Sequence, residues 1–287
     1  MSIFHFTLKP IETNMFPQSE DGKYSVCWFW LTLSDYCIRI GDVTLFESSA
    51  ECLRKYPQDP SPYLTYQYAR FLEDFFRILP SVATPIPPDL YCYIDTEEKY
   101  VNLSDRVGDW FWNIEAPTEK QNDIYDDVCE FLLANDLDSG HLVRNSKSSL
   151  YRLADTIRIR YDFRAYEEDG TPIWSAGCGE YELPYNDFIC EVEDMLVRFF
   201  RDMDRQVENA IQLLRKDEQY IAYEVLIARD GEDYTADLGI DRLAKEHAER
   251  KATFWNTLNA IKDNTQVNPV NWEQIKSSIE FLMSQKK

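Results

Sequence analysis

Residues 23–47 read KYSVCWFWLTLSDYCIRIGDVTLFE, and this apolar segment predicts the centre of a buried sheet. Residues 26–31 are apolar at every position, as expected for a strand that is covered on both faces. Residues 34–35, Ser-Asp, predict a turn, after which residues 36–40 alternate as in a half-buried strand. Residues 41–42, Gly-Asp, predict a second turn, so the segment forms an antiparallel meander whose first strand is the most buried.

Long amphipathic helices are predicted to cover this meander. Residues 63–79 and 185–214 both carry apolar side chains at helical spacing and charged side chains on the opposite face. The other predicted elements are strands at 3–8, 90–94, near 110–112 and within 149–166, a hairpin turn at 168–170, and helices at 123–133, from 238 and around 272–282.

These elements predict an α+β fold with a mainly antiparallel sheet of meander and hairpins under long helices. Residues 1–215 are expected to form the α+β core domain. Residues 216–287 contain no cysteine, and their 13 acidic and 10 basic residues make them far less acidic than the rest of the chain. We expect this segment to be a helical C-terminal extension packed on or beside the core.

The charge of the chain is strongly negative. It has 51 acidic and 30 basic residues, a formal net charge of −21, and residues 89–138 alone hold 14 acids against three bases. Such a field repels phosphate backbones and anionic lipid and speeds association with a basic partner. Direct nucleic-acid or membrane binding is therefore not expected, and a basic protein partner is, although solubility alone also accounts for the charge.

The cysteines and the N-terminal residues indicate a reducing compartment. The seven cysteines are odd in number and lack Cys-x-x-Cys spacing, which favours free thiols over a disulfide framework. The first ten residues, MSIFHFTLKP, show no basic region followed by an apolar run, and no segment reaches membrane-spanning length. We expect a cytoplasmic protein.

One set of residues has the outline of a metal-dependent nuclease motif. Pro88-Asp89 is followed by Glu97-Glu98-Lys99, in which the acids would hold magnesium and the lysine would help to activate water. Only seven residues separate Asp89 from Glu97, and the surrounding charge repels DNA. A solvated strand end is the favoured interpretation. Arg70, Glu73 and Asp74 similarly predict either a buried polar site or the charged side of a helix.

Other catalytic patterns are weak. His5, His141 and His247 are far apart and share no ligand spacing with each other or with a cysteine, so no zinc site is predicted. Cys178 lies between Gly177 and Gly179 like a nucleophile turn, but the following residues continue as a strand, which favours a bulge or a close-packed hairpin. No catalytic residue, metal or cofactor is predicted.

The most suggestive feature is an acidic stripe on the helix at 123–133. Its spacing of three and four residues places four carboxylates on one face, and two further acids precede the helix. These candidate partner-binding residues are Asp123, Asp126, Asp127, Glu130, Glu115 and Glu119. A docking surface for a basic partner would use such charges mainly to set association rate and partner choice. A solvated helix face fits the stripe as well.

Several segments resemble a bacterial family of unknown function, over roughly residues 23–210. They are Trp28-Phe29-Trp30-Leu31-Thr32, Ile38-x-Ile40-Gly41, Tyr66-Gln67-Tyr68-Ala69-Arg70-x-x-Glu73-Asp74, Arg158 to Tyr161, Gly170-x-Pro172-Ile173-Trp174-x-Ala176-x-x-Gly179, Phe188-x-x-Glu191-Val192 and Met203-x-Arg205-x-Val207. Members of such families look like immunity proteins, which block secreted antibacterial toxins in the cytoplasm. The motifs are aromatic and structural, and they carry over no catalytic residue.

The resemblance and the acidic surface together predict a cytoplasmic immunity protein, which would bind a cognate toxin and occlude a basic cleft for nucleic acid or nucleotide. Two alternatives remain at this point. One is an enzyme, a carboxylate- or metal-dependent hydrolase or nuclease, using Asp89 and Glu97 or the Arg70, Glu73 and Asp74 group. The other is a structural scaffold whose C-terminal helices dimerise. The oligomeric state does not follow from the sequence.

Overall fold

A computed structural model describes residues 2–14, 16–18, 22–58, 61–137, 146–222, 240–263 and 270–285. Its strands are β1 (Phe4–Leu8), β2 (Tyr24–Val26), β3 (Leu33–Ile40), β4 (Val43–Leu45), β5 (Leu64–Gln67), β6 (Asp136–Leu137), β7 (Lys147–Leu153), β8 (Thr156–Asp162), β9 (Cys178–Pro184) and β10 (Tyr220–Ala222). Its helices are α1 (Ala50–Lys55), α2 (Tyr68–Ala83), α3 (Pro88–Tyr91), α4 (Glu97–Trp112), α5 (Glu119–Leu133), α6 (Tyr185–Lys216), α7 (Ile240–Lys262) and α8 (Trp272–Ser284), with 3₁₀ turns at Ile11–Thr13 and Trp30–Thr32. The predicted α+β class is confirmed.

Strand β3 is the centre of the first antiparallel sheet. β1 pairs along one edge of it, with Phe4 opposite Ile38. β4 and β5 share the other edge, because β4 pairs with residues 38–40 and β5 with residues 33–36. The second sheet is antiparallel in the order β6-β7-β8-β9, and a separate parallel pair joins β2 to β10.

Helix α6 joins the two sheets, since it packs against β1 of the first and against β8 and β9 of the second. Its buried face is the predicted apolar stripe, which includes Phe188, Val192, Leu196 and Phe199. Polar contacts fix it to β1: Arg198 donates to the Phe4 carbonyl at 2.8 Å. The predicted helix at 185–214 is therefore confirmed as the cover of the sheets.

The opposite face of the second sheet is also covered, which the alternation in residues 157–164 did not predict. Arg158 and Arg160 lie on this face beneath a second layer made by α3, α4, α5 and α8. Arg160 donates to the backbone carbonyls of Ile94 and Asp95 at 2.8 and 2.7 Å, and to Glu180 at 2.9 Å. A charged side chain tolerates such burial because every donor it commits has an acceptor.

The first strand predicted in residues 26–31 is wrong. Trp28 and Leu31 are buried, but the chain turns at residues 28–29 and enters the 3₁₀ turn at Trp30. The Leu31 amide bonds the Cys27 carbonyl at 3.3 Å, which is a turn contact and not a sheet contact. Because every residue from 26 to 31 is apolar, the segment has no hydrophobic periodicity that could distinguish a turn from a strand.

Four other predicted elements differ from the structure. Residues 34–35 belong to β3, where Ser34 is buried and bonds the Tyr66 carbonyl at 3.3 Å. Residues 64–67 form β5 before helix α2 begins. The predicted strands at 90–94 and 110–112 belong instead to α3 with its following turn and to the last turn of α4. A proline pair opens α3, and the Thr96 side chain caps α4 by accepting from the Lys99 amide.

The two helices after residue 240 attach to different parts of the chain. α7 packs on α6 and α2, and α8 packs on α5 and α4. The division of the chain at residue 215 stays a prediction. Within the ranges given above, no helix is both long and apolar enough to cross a membrane. All seven cysteines are free.

Helix α7 is attached to the core through Trp28. The buried indole nitrogen donates to His247 Nδ1 at 3.2 Å, and Nε2 of the same ring lies 2.7 Å from Asp204 Oδ1. Lys251 also bonds Asp204, at 2.9 and 3.0 Å, from a more exposed position. A buried indole N–H needs such an acceptor, so His247 is the contact that matters most here.

We expect His247→Ala to lower the free energy of unfolding by about 1–3 kcal/mol, because it leaves the Trp28 donor unsatisfied. Chemical denaturation measures this loss. Lys251→Ala is the matched control, with an expected change within about 0.5 kcal/mol. Equal, small effects of the two substitutions would contradict the assignment.

Candidate functional site

Three of the predicted stripe residues, Asp123, Asp126 and Glu130, are exposed on helix α5. The helix begins after Thr118, whose side chain forms a capping box with Gln121. The apolar residues between the acids turn inward and hold the helix in place; they are Ile124, Val128, Phe131 and Leu132. The structure thus brings these carboxylates together on the outer face.

Asp127 has a different environment from its neighbours. It is half-buried and accepts hydrogen bonds from Gln274 Nε2, at 2.9 and 3.2 Å, and from Ser278 Oγ at 2.7 Å. Both donors belong to α8, so this carboxylate holds α8 against α5. Its placement favours a role within the fold over the predicted partner contact.

Glu115 and Glu119 are exposed at the connection between α4 and α5. We call the surface formed by Glu115, Glu119, Asp123, Asp126 and Glu130 the acidic face. None of these five side chains forms an ion pair with another residue that the structure describes. Their charges therefore act outward, on whatever approaches this side of the molecule.

A large aromatic side chain lies beside the acidic face. Trp112, in the last turn of α4, is 78% exposed. Its neighbours in sequence are tied down: the Trp110 ring packs edge-on against Phe281 at 5.8 Å, and Phe111 stacks on Tyr125 at 4.0 Å. Sequence reasoning missed this exposure, because it placed all three aromatic residues in a strand.

A cleft of about 1210 Å³ opens between the polar face of the second sheet and helices α2, α4 and α5. In its wall, the two carboxylate oxygens of Asp136 accept from Ser149 Oγ at 2.5 Å and from the Tyr100 hydroxyl at 2.9 Å. Tyr151 also belongs to this wall, but it is fully buried, so its hydroxyl is closed off from the cleft. None of these residues was predicted, because strand alternation places Ser149 and Tyr151 on one face but does not show what faces them.

Burial disfavours the ionised forms of Asp136 and Tyr151 in this wall. Burial raises the pKa of Asp136 above the usual carboxyl range, although the bonds from Ser149 and Tyr100 and the charge of Lys147 oppose the shift. Burial likewise raises the pKa of Tyr151. The negative charge of Asp136 raises this pKa further. The side chains of this wall are thus coupled electrostatically.

The residues of the nuclease-like motif have separate partners. Asp89 lies in α3 and bonds Lys276 Nζ at 2.5 Å, whose hydrogen bond lowers the pKa of Asp89. Lys99 pairs with Asp95, and Glu97 lines the cleft. The favoured strand end is wrong, since Asp89 lies in α3 and Glu97 and Lys99 lie in the first turn of α4. Among the residues described, no group of three or more His, Cys, Asp or Glu side chains is arranged to hold a metal ion.

The Arg70, Glu73 and Asp74 group forms the charged side of α2. Glu73 pairs with Arg250 of α7 at 2.8 Å and with Arg70 at 3.5 Å, and the Arg70 guanidinium lies 4.4 Å from the Phe29 ring centre. This network joins two helices. An enzyme acting through these residues stays a prediction.

The remaining candidates have structural explanations. Cys178 is the exposed first residue of β9, and the strand runs on as predicted. A Cβ on Gly179 would lie 2.6 Å from the Tyr161 hydroxyl, so glycine permits a close approach. His5 bonds the Ser2 carbonyl at 2.7 Å. His141 lies outside the described residues.

The raised pKa of Asp136 has a consequence for stability. A carboxyl with a raised folded-state pKa contributes stability below its unfolded value, and that contribution is lost as the pH rises through the folded pKa. We expect Asp136→Asn to flatten the decline in free energy of unfolding above about pH 4, where an ordinary aspartate ionises. Denaturation at a series of pH values measures it.

Asp169→Asn is the control with opposite sign. Hydrogen bonds from Lys55 and Thr171 lower the pKa of Asp169, so this variant should lose stability above the ordinary carboxyl pKa and approach the wild type in acid. A pH profile for Asp136→Asn that runs parallel to the wild type would refute the assignment.

Comparison with known proteins adds a family and no activity. Neither a curated protein nor a solved structure matches the chain. One family model does match, over residues 3–278, which extends well beyond the 23–210 expected from the motifs. Its description names no catalytic function. The chain belongs to the Family of unknown function (DUF5984).

Proposed function

We propose that this protein is a cytoplasmic immunity protein, which binds a cognate secreted toxin and covers a basic cleft of that toxin with the acidic face. The observation that carries the proposal is the acidic face, whose side chains form no ion pair with any other residue that the structure describes. Trp112 beside it is 78% exposed. The resemblance of the sequence motifs to families that look like immunity proteins supplies the class of partner. The protein would act by binding, without catalysis, and without contacting nucleic acid or membrane.

The acidic face and Trp112 would make different contributions to binding. Carboxylates that face solvent attract a basic surface over a Debye length and raise the association rate more than the affinity. An exposed tryptophan supplies apolar area and is enriched among the residues that dominate interface energies. The charges would therefore select and orient the partner, and Trp112 would hold it.

The direct test uses the product of the gene immediately upstream. Calorimetric titration of that protein with the full chain should show a saturable complex, and co-expression should restore growth to cells that produce the toxin. The absence of both binding and rescue would remove the proposal.

A pair of charge reversals tests the surface. Asp123→Lys with Asp126→Lys should slow association by roughly tenfold at low salt and flatten its salt dependence, with little change in dissociation. Asp127 is left intact because it holds α8. The matched control is Glu208→Lys with Glu218→Lys, which makes the same charge change at exposed positions away from α4 and α5. Equal slowing by both pairs would show that only net charge matters.

Trp112→Ala should instead speed dissociation and cost about 2 kcal/mol or more in binding. Because the side chain is mostly exposed, the unfolding free energy should change by less than about 0.5 kcal/mol. Unchanged dissociation in surface-plasmon or stopped-flow measurements would place the interface elsewhere.

A further inference from the structure

Strand β9 is an open edge of the second sheet. It pairs with β8 on one side, and on its other side no described strand lies against it. The far side of the same sheet, beyond β7, is occupied. There the Leu150 amide donates to the Asn135 carbonyl, and the Arg152 carbonyl accepts from the Ile86 amide. The two edges of this sheet therefore differ, and only β9 presents its backbone outward along a whole strand.

The hydrogen bonds between β8 and β9 show which backbone groups point outward. The Phe163 amide bonds the Gly177 carbonyl, and the Tyr185 amide bonds the Asp155 carbonyl, both at 2.8 Å and both in the register of this strand pair. Because bonded pairs alternate along an antiparallel ladder, the odd-numbered residues of β9 face β8. The even-numbered residues turn their amides and carbonyls away from the sheet, where these groups bond no described residue. The residues with an outward amide are Cys178, Glu180 and Glu182.

This edge has the form of a template for a further strand. β9 pairs with β8 at seven consecutive positions, without a bulge that would twist the edge away. All three residues with an outward amide are exposed, and each offers one N–H and one C=O. Pro184 has no N–H, so the row of donors ends at that residue. A strand laid along this edge would gain main-chain hydrogen bonds to both kinds of group.

The side chains on this edge indicate the charge of such a strand. Glu180 and Glu182 lie opposite arginines of β8: Arg160 bonds Glu180 at 2.9 Å, and Arg158 bonds Glu182 at 2.7 Å. Both carboxylates nevertheless stay 41% and 50% exposed. An added strand would place its own side chains directly opposite them, where opposite charges stabilise and like charges destabilise. A basic residue there would continue the alternation of arginine and glutamate across the sheet.

A second copy of this chain does not fit the edge. Full-length antiparallel pairing of two β9 strands would place Glu180 of one copy opposite Glu182 of the other, twice across the two-fold axis. Like charges in that position oppose pairing, and the net charge of −21 adds to the repulsion. The charges of the edge thus favour a different, basic polypeptide.

We propose that the free edge of β9 binds an extended segment of a basic polypeptide, which extends the antiparallel sheet by one strand. Lysine or arginine side chains at alternate positions of that segment lie opposite Glu180 and Glu182. The main-chain hydrogen bonds supply affinity, and the two carboxylates select for charge. This edge shares no residue with the acidic face, so the proposal is independent of the proposed function.

The test uses a peptide of sequence Thr-Lys-Val-Lys-Val-Thr, acetylated and amidated at its ends. It should bind the full chain saturably in NMR titrations, and replacement of both lysines by glutamate should weaken binding at least tenfold. N-methylation of the two lysines removes the donors that face β9 and should abolish binding, whereas N-methylation of the two valines leaves those donors in place. Equal loss from both methylations, or no saturable binding of the lysine peptide up to about 5 mM, would overturn the proposal.

Hydrogen exchange locates the peptide on the chain. The outward amides of Cys178, Glu180 and Glu182 should exchange rapidly in the free protein and at least tenfold more slowly at saturating peptide. The amides that face β8 should be protected in both states. Changes confined to residues 119–130 would show binding to the acidic face through charge alone and would overturn the proposal.

Two sets of variants separate the backbone from the charges. Cys178→Pro removes one outward N–H and no bond to β8, at the first position of an edge strand, where proline is tolerated. It should weaken peptide binding roughly threefold or more relative to Cys178→Ala, and equal affinities of these two variants would place the peptide elsewhere.

Glu180→Gln with Glu182→Gln should weaken binding of the lysine peptide by roughly three- to tenfold and reduce its salt dependence. The matched control is Glu208→Gln with Glu218→Gln, which makes the same charge change at exposed positions on and after α6. Melting temperatures verify that each variant is folded. Equal weakening by both pairs would show that only net charge matters and would overturn the assigned contacts.

Discussion

The hydrogen bonds of Arg160 attach the outer layer of helices to the second sheet. Strand β8 is the wall between two cores: Ile157 and Ile159 point to α6, and Arg158 and Arg160 point to the layer of shorter helices. The guanidinium of Arg160 supplies donors to the chain just before α4, at the carbonyls of Ile94 and Asp95. Beside these polar contacts, the apolar residues of the layer pack on Tyr151 and Leu153 of β7. The cleft opens along this polar boundary.

The parts of the fold that were predictable are those where one face of an element is clearly apolar. Helix α6 repeats its apolar stripe over 32 residues, so its bounds and its role could be inferred. Residues 26–31 were not predictable in the same way, because a segment that is apolar throughout contains no period. The positions of Arg158 and Arg160 were mispredicted for the opposite reason. Their polarity indicated that they face solvent, whereas acceptors on other elements bond their guanidinium groups beneath the helical layer. The local sequence pattern shows which residues are polar and which are apolar. Whether a residue is buried also depends on the elements that pack against it from elsewhere in the chain.

The candidate sites show the same limit. Spacing on one helix was enough to group Asp123, Asp126 and Glu130, because the helical period is a local property. The different role of Asp127 depends on α8, which lies almost 150 residues further along the chain. The Asp136 and Tyr151 cleft likewise requires the meeting of α4, the end of α5 and β7. These segments are far apart in the sequence and share no motif of fixed spacing. Only the three-dimensional arrangement could therefore reveal the cleft.

Helix α5 connects the two surfaces, and the two differ in what they cost the fold. Exposed carboxylates such as Asp123 and Asp126 are solvated, so an acidic face costs little and solubility alone could maintain it. The half-buried Asp136 costs the fold free energy when it ionises, and the hydrogen bonds from Ser149 and Tyr100 offset only part of that cost. Features that a fold retains against its own stability are the ones that call for a function. On that physical ground, solubility accounts for the acidic face more readily than for the buried environment of Asp136.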